Sequence, residues 1–141
     1  MTRVAGLVSV RNQERWIEAA VRTLAAESDE VVVVDDASDD GTTAILASLA
    51  RELGIRVIRH DRAHGVSVSY NEAAAATDAD VLLIQGGDDR TLPGRRDATV
   101  AALAEPDVVL VDSLPVVIDA TDQVLPSDVA GEFTGPAADA D

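Results

Sequence analysis

The amino-acid sequence predicts an α/β protein, with a mostly parallel sheet covered by helices on both faces. Short β-branched runs alternate with amphipathic segments of about 12 residues, a pattern typical of consecutive βα units. The clearest run is the four valines at 31–34, which suit a strand buried on both faces, as in a parallel sheet. The chain has 141 residues, enough for about one domain, and 47% of them are apolar, enough for a hydrophobic core.

Each predicted element has a local signal. The helices carry apolar residues at i, i+4 and i+7, which form one buried stripe. Asp39 or Asp40 is predicted to cap the second helix, and Gly54 to end it. Pro93 is placed in the first turn of the last helix. The predicted strands are 4–10, 30–35, 55–59, 81–84 and 108–111, and the predicted helices are 14–27, 42–53, 66–77 and 93–104.

The end of the chain has weaker signals. Residues 116–118 and 123–125 are predicted to form a hairpin around the turn at 119–122. Residues 127–141 are rich in Ala, Asp, Gly and Pro and lack periodicity, so we interpret them as a loose tail.

The charge of the chain excludes some partners. The net charge is -15, every basic residue is Arg, and the isoelectric point is near 4.2. Such a surface repels phosphate backbones and anionic bilayers, so we expect neither nucleic acid nor membrane as a partner. The Lys-free acidic composition fits either a salt-rich cytoplasm or a GC-rich genome.

No apolar run approaches the roughly 18 residues of a membrane span, and neither a secretory signal nor a cysteine is present. A cytoplasmic location is therefore predicted.

Two acidic loops follow predicted strands. The first, at 35–41, holds four acidic residues, and the second, at 85–89, places two carboxylates after a pair of glycines. The carboxyl ends of parallel strands meet at one edge of a sheet, so the loops are expected to share one crevice. Carboxylates there hold a hard cation or accept hydrogen bonds from a ribose or a base, although acidic loops are also common as solvated surface. Because each follows a buried strand, Asp36 and Asp88 are the candidate functional residues.

Three nucleotide-binding folds are disfavoured by missing residues. A dinucleotide-binding Rossmann domain needs glycines after the first strand, and residues 11–15 contain none. A P-loop ends in Lys, and a phosphoacceptor receiver domain relies on one, but the chain has no Lys.

Several segments resemble the family-two glycosyltransferases in order and spacing. They are residues 8–12, 32–42, 65–67 with Asn71, 81–93 and 109–126. The resemblance implies a Rossmann-like GT-A fold that binds a nucleotide-diphosphate sugar, most often a UDP-sugar, with Mg²⁺ or Mn²⁺. It also implies transfer of the sugar to an acceptor hydroxyl with inversion, and it leaves the acceptor unknown.

The same resemblance assigns roles to individual positions. Asp88 would be the metal ligand of the family's DxD-like motif, with Asp89 beside it. Ser9 and Arg11 would lie at the base and ribose, and Asp36 would bind the base, typically uracil. The implied nucleotide-binding residues are Ser9, Arg11, Asp36 and Gly87.

The sequence also departs from the family pattern. Gly86 replaces the first acid of the usual Asp-x-Asp-Asp, Gly87 stands where a side chain often meets the ribose, and Tyr70 stands where Arg is common. Family members continue well beyond this length into an acceptor-binding half that carries the catalytic base, and we identify no catalytic residue here. Residues 1–126 are therefore expected to be an incomplete donor-binding domain, with 127–141 leading into that half.

Two other functions stay open at this point. One is a nucleotide-sugar-binding module without transfer, and the other is a scaffold that kept the fold and lost the ligand. His60 and His64 lack further metal-ligating residues at a suitable spacing, so both are interpreted as surface residues.

Overall fold

A computed structural model describes residues 1–126 of the chain, in which strands and helices alternate. The strands are β1 (Val4–Val10), β2 (Glu30–Asp35), β3 (Arg56–Arg59) and β4 (Val81–Gly86). The helices are α1 (Ile17–Ala25), α2 (Thr42–Leu53), α3 (Val66–Ala75) and α4 (Arg95–Leu103). The strands form one parallel sheet in the order β3-β2-β1-β4. This arrangement confirms the predicted α/β class.

Helices cover both faces of the sheet, as predicted. Val31 and Val33 of β2 face one side and pack with residues of α1 and α2. Val32 and Val34 face the other side and pack with Ala73 of α3. All four valines are at most 3% exposed, which explains why the strand reads as a continuous apolar run. Burying a valine of this kind contributes roughly 1.5–3 kcal/mol.

Several predicted boundaries shift by a few residues. The first helix begins at Ile17 instead of residue 14, because the N–H groups of Trp16 and Ile17 both donate to the carbonyl of Gln13 in a preceding turn. The last helix begins after Gly94, whose φ of 88° is left-handed, so Pro93 precedes the helix and does not lie in its first turn.

The second helix keeps its predicted bounds, 42–53. Gly41 occupies the N-cap position, and Asp40 accepts a hydrogen bond from the N–H of Thr42 at 2.9 Å. The helix ends at Gly54, whose φ of 69° is the left-handed conformation that glycine adopts at low cost. The predicted cap at Asp39 or Asp40 is therefore wrong by one or two positions, although the carboxylate of Asp40 still accepts a backbone N–H at the helix start.

Residues 1–108 form one compact unit, and the residues described after them belong to a second. The strand predicted at 108–111 is wrong, because within residues 1–126 this segment pairs with no strand and Val109 is 91% exposed. The predicted hairpin is present as one antiparallel bridge between Ile118 and Val124, closed by a turn at Asp119. The predicted tail, 127–141, lies outside the described residues. None of the described helices is long and apolar enough to span a bilayer.

Candidate functional site

Three loops leave the carboxyl edge of the sheet side by side. Ser9, near the end of β1, is in register with Val34 of β2 and with Gly86 of β4. The backbone N–H of Asp36 donates to the carbonyl of Val10 at 2.9 Å. The two acidic loops therefore flank the end of β1, one on each side, and the half-buried Ser9 lies between them.

The loops after β1 and β2 are joined by reciprocal hydrogen bonds. Asn12 donates its N–H to Oγ of Ser38 at 3.0 Å, and its Oδ1 accepts the N–H of Asp39 at 2.9 Å. The side chain of Glu14 accepts the N–H of Gly41 at 2.6 Å. These bonds fix the backbone that follows Arg11, whose side chain is exposed.

The two consecutive aspartates at the end of β2 have different surroundings. Asp35 is fully buried and accepts hydrogen bonds from the N–H of Ser38 at 2.9 Å and from Oγ1 of Thr43 at 2.6 Å. Its carboxylate is thus occupied by the loop that it shapes. Asp35 was not among the candidate residues predicted from the sequence. Side chains alternate between the two faces of a strand, so its position one residue before Asp36 predicted that it faces the opposite side.

Asp36 is held by three hydrogen bonds. Oδ1 lies 2.7 Å from Nδ1 of His60 and accepts the N–H of His64 at 2.7 Å, and Oδ2 accepts the N–H of Gly65 at 2.9 Å. Burial would raise the pKa of Asp36, but the bonds from His60, His64 and Gly65 outweigh it and lower the pKa to about 2. Asp36 is therefore an anion, and 7% of its side chain is exposed.

His60 is not the surface residue that the sequence predicted. Only 9% of its side chain is exposed, and its ring lies between two carboxylates, with Nδ1 on Asp36 and Nε2 2.6 Å from Oε2 of Glu72. The bonds to Asp36 and Glu72 raise the pKa of His60, and burial opposes them. The side chain of His64 is exposed, in agreement with the prediction, although its backbone binds Asp36. The sequence signal that could have indicated the buried position of His60 was Glu72, an acidic residue of α3 that faces this loop.

The second acidic loop folds its carboxylates back over β4. The N–H of Gly86 donates to Oδ2 of Asp89 at 3.2 Å. A Cβ at position 86 would lie 2.8 Å from this Oδ2 and 3.1 Å from Oδ1 of Asp88, so glycine leaves room for both carboxylates. Asp88 is exposed, and within residues 1–126 its carboxylate accepts no hydrogen bond. Gly87 is buried against Gln13, whose side-chain oxygen occupies the space that a Cβ would take.

Three side chains whose supporting role was not predicted from the sequence hold this loop in place. Gln85 is buried, donates to the carbonyl of Ala20 at 3.0 Å, and accepts a hydrogen bond from the hydroxyl of Thr91. Tyr70 of α3 donates its hydroxyl to the carbonyl of Gln85 at 2.9 Å. Burial raises the pKa of Tyr70, the backbone of Ser9 opposes this, and the charges of Asp89 and Asp88 add to it. Tyr70 is thus a neutral donor beside the loop.

The described residues offer a metal ion only part of its coordination sphere. Within 1–126, no three His, Cys, Asp or Glu side chains are grouped closely enough to hold a metal ion. Asp88 and Asp89 form a pair, which fits the way Mg²⁺ is usually bound in proteins, through one or two carboxylates with phosphate oxygens and water. The residues therefore fit a metal that arrives with a phosphate-bearing ligand.

The model of one protein family matches most of the chain. Residues 7–135 match Glycosyl transferase family 2. Together with the parallel sheet and the acidic loops at its carboxyl edge, this match shows that the chain belongs to that family.

Two relatives share this region. "Uncharacterized protein MT1568" of Mycobacterium tuberculosis is 29% identical over 104 residues, which are 72% of this chain and 32% of the relative. "Putative glycosyltransferase EpsE" of Bacillus subtilis is 27% identical over 106 residues, 72% of this chain and 38% of the relative. The chain thus spans about a third of the length of these relatives.

Solved glycosyltransferase structures share the fold. S. aureus TarS 1-349 in complex with UDP-GlcNAc has a TM-score of 0.63 and 25% identity, and the match covers 72% of this chain and 31% of that TarS chain. Mannosyltransferase PcManGT from Pyrobaculum calidifontis, in complex with GDP-Man and Mn²⁺, has a TM-score of 0.65 and 29% identity, covering 75% of this chain and 33% of that enzyme. These neighbours confirm the predicted GT-A fold.

Proposed function

We propose that this chain contains the donor-binding part of a glycosyltransferase that takes a UDP-sugar together with Mg²⁺ or Mn²⁺ and transfers the sugar to an acceptor hydroxyl with inversion. One observation carries the proposal. Asp36 and the Asp88–Asp89 pair lie at the same edge of the sheet, on opposite sides of the end of β1. In open α/β sheets, ligands bind outside the carboxyl ends of the strands.

The two sides of this edge suit the two ends of a nucleoside diphosphate. Asp36 is an anion that accepts hydrogen bonds, which suits a base N–H, and Ser9 and Arg11 lie on the strand and loop beside it. Gly87, which packs against Gln13, would contribute its backbone to the ribose contact that the family resemblance implies at this position. A metal bound at Asp88 and Asp89 would neutralise the charge that develops on the leaving nucleoside diphosphate.

The structural neighbours support nucleotide-sugar binding, but their bound ligands contain different nucleotides. TarS is in complex with UDP-GlcNAc, whereas PcManGT is in complex with GDP-Man and Mn²⁺. We propose UDP for this chain, because the resemblance to the family implies that Asp36 binds the base, typically uracil. The acceptor and the catalytic base are not assigned to any described residue.

Calorimetric titration of UDP tests the donor site. We expect binding that requires Mn²⁺ and that weakens by roughly tenfold or more, about 1.4 kcal/mol, in Asp88→Ala. Glu105→Gln removes one exposed carboxylate just after the C-terminal end of α4 and should leave binding unchanged. Circular dichroism checks that each variant is folded. A folded wild-type chain that binds neither UDP nor GDP with Mn²⁺ would overturn the proposal.

A second candidate is a module that binds a nucleotide sugar without transferring it. Gly86 favours this candidate, because the loop at 85–89 presents two carboxylates where the family pattern has three. The release of UDP from a UDP-sugar separates the candidates. Enzymatic release above the uncatalysed rate, abolished in Asp88→Ala, supports transfer, whereas tight binding without release supports the module.

A further inference from the structure

The hydrogen bonds around Asp36 leave it few free acceptor positions. An ionised carboxylate has about four lone-pair sites, two on each oxygen. His60 and His64 occupy both sites of Oδ1, and Gly65 occupies one site of Oδ2. The φ of Gly65 is 92°, a conformation that other residues rarely adopt, so its N–H is held in place by the glycine. A ligand that reaches Asp36 therefore finds one acceptor site, on Oδ2.

Glu72 fixes the contact between His60 and Oδ1 of Asp36, because it binds the opposite side of the imidazole ring. Nε2 of His60 lies 2.6 Å from Glu72, and an ionised carboxylate only accepts hydrogen bonds. Both ring nitrogens therefore donate, and the ring is an imidazolium. The other charged or titratable groups at this position are His64, with ring centroids 4.6 Å apart, and Arg59, which donates to the carbonyl of Ser38. Glu72 on α3 thus keeps Nδ1 of His60 directed at Asp36.

Nucleobases differ in the number of N–H groups on their pairing edge. Uracil presents a single N–H between two carbonyl groups. Guanine presents a ring N–H and an amino group side by side, and this pair matches both oxygens of one carboxylate. Oδ1 of Asp36 is already occupied, so guanine would leave one donor without a partner in a nearly buried place. An unpaired buried donor costs about 1–3 kcal/mol, which corresponds to roughly five-fold to over a hundred-fold in affinity.

We propose that His60, held by Glu72, is a positioning residue that occupies Oδ1 of Asp36 and thereby makes the site select uracil over guanine. This inference rests on the proposed function, since it requires the base to bind at Asp36. A protein in which both oxygens of this carboxylate are free to accept hydrogen bonds from a base would lack this preference for uracil.

The test is the ratio of UDP to GDP affinity, measured by calorimetry with Mn²⁺ near pH 6. We expect the wild type to bind UDP at least about tenfold more tightly than GDP. In His60→Ala, Oδ1 becomes available, so the ratio should fall several-fold, chiefly through tighter GDP binding. Arg62→Gln is the matched control: the exposed side chain of Arg62 lies in the same loop and makes no described hydrogen bond to Asp36 or His60, so its ratio should equal that of the wild type.

The pH profile of the ratio adds a readout that a purely structural role of His60 would not move. As the pH rises through the titration of His60, Nδ1 loses its proton in part of the molecules, and the ratio should decline. Glu72→Gln keeps a hydrogen-bond acceptor but removes a charge that raises the pKa of His60. The decline should therefore occur at lower pH in this variant, and imidazole ¹⁵N spectra can follow it because the chain has only 2 His.

The outcomes separate this inference from the proposed function. If a folded wild type binds neither nucleotide, the proposed function fails and the inference falls with it. If UDP and GDP bind equally well, the donor site stands and the inference is overturned. A ratio unchanged in folded His60→Ala also overturns it. If His60→Ala does not fold, the Glu72→Gln profile decides, and a profile identical to that of the wild type overturns the inference.

Discussion

Oε2 of Glu72 lies 2.6 Å from Nε2 of His60, on the side of the ring opposite to Asp36. This contact joins α3 to the loop after β2 through a single imidazole. A nearly buried charge is costly unless it is paired and hydrogen-bonded, and here the cation has a carboxylate at each nitrogen. The orientation of Asp36 therefore depends on a residue of α3, 36 positions away in the sequence, and on the protonation of His60.

The hydrogen-bonded group formed by Asp36, His60 and Glu72 predicts how the stability of the protein depends on pH. Because the folded pKa of His60 is raised, its contribution is fully present below its ordinary pKa of 6.5 and is lost as the pH rises through the raised value. Because the pKa of Asp36 is lowered to about 2, its contribution is present above 3.8 and is lost as the pH falls towards 2. Both contributions are present together between about pH 4 and 6.5.

Urea unfolding at a series of pH values checks this prediction. His60→Gln serves as the reference, because it retains all the acidic residues of the wild type. The general effect of the large negative charge on stability is therefore the same in both proteins. The difference in unfolding free energy between wild type and His60→Gln should be greatest between about pH 4 and 6.5 and should shrink as the pH rises above this range. A difference that stays constant across the range would contradict the assignment of a charged His60.

Gly86→Ala is predicted to separate stability from metal-dependent binding. The added Cβ would meet Oδ2 of Asp89 at 2.8 Å and Oδ1 of Asp88 at 3.1 Å, so both exposed carboxylates must move. Exposed side chains move at little cost, and Ala is favoured over Gly in a strand by roughly 0.5–1 kcal/mol, so stability should change by less than about 1 kcal/mol. The binding of UDP with Mn²⁺ should weaken several-fold, as measured by calorimetry.

The control for this variant lies on the same strand. Ile84→Val changes a side chain that is 54% exposed, and it should leave both stability and binding nearly unchanged. Unchanged Mn²⁺-dependent binding in Gly86→Ala would show that the placement of the two carboxylates over Gly86 is not needed for the metal.

Asn12 is predicted to stabilise the joined loops in two separable ways. Its φ of 53° is left-handed, which costs other non-glycine residues about 1–2 kcal/mol, and its side chain accepts the N–H of Asp39. Asn12→Gly keeps the backbone conformation and loses the hydrogen bond, at about 0.5–1.5 kcal/mol. Asn12→Ala loses the hydrogen bond and also places an alanine in the unfavourable left-handed conformation, so it should be the less stable variant in urea unfolding. Equal stabilities of the two variants would show that the left-handed backbone is not strained at this position.

Much of the fold follows from the sequence because its signals are local. The valine run of β2 and the apolar stripes of the helices depend only on burial and period, and they locate four strands and four helices within 1–126. The strand expected at 108–111 fails for a non-local reason. Its apolar residues suit a strand, but a strand forms only where another backbone supplies hydrogen bonds, and no described strand does so.

The candidate site is predictable only in part. Asp36 and Asp88 could be selected because each follows a strand whose carboxyl end lies at the ligand-binding edge. The roles of His60 and Glu72 could not, because their contact depends on how the loop at 60–65 folds over α3. Such a contact joins residues 12 positions apart through an irregular segment, and no period or motif encodes it.

Gln85 and Thr91 are predicted to be coupled supports of the second acidic loop. The hydroxyl of Thr91 donates to Gln85, which in turn donates to the carbonyl of Ala20, and both side chains are at most 5% exposed. Gln85→Leu removes both of these hydrogen bonds, while Arg95 still donates to the hydroxyl of Thr91 and Thr23 to the carbonyl of Ala20, so it should cost roughly 1–3 kcal/mol in urea unfolding. Thr91→Val should cost less. In the double variant the two costs should not add, with a coupling of about 0.5–3 kcal/mol, because the first change already removes the bond that the second would break. Additive costs would mean that each side chain supports the loop independently of the other.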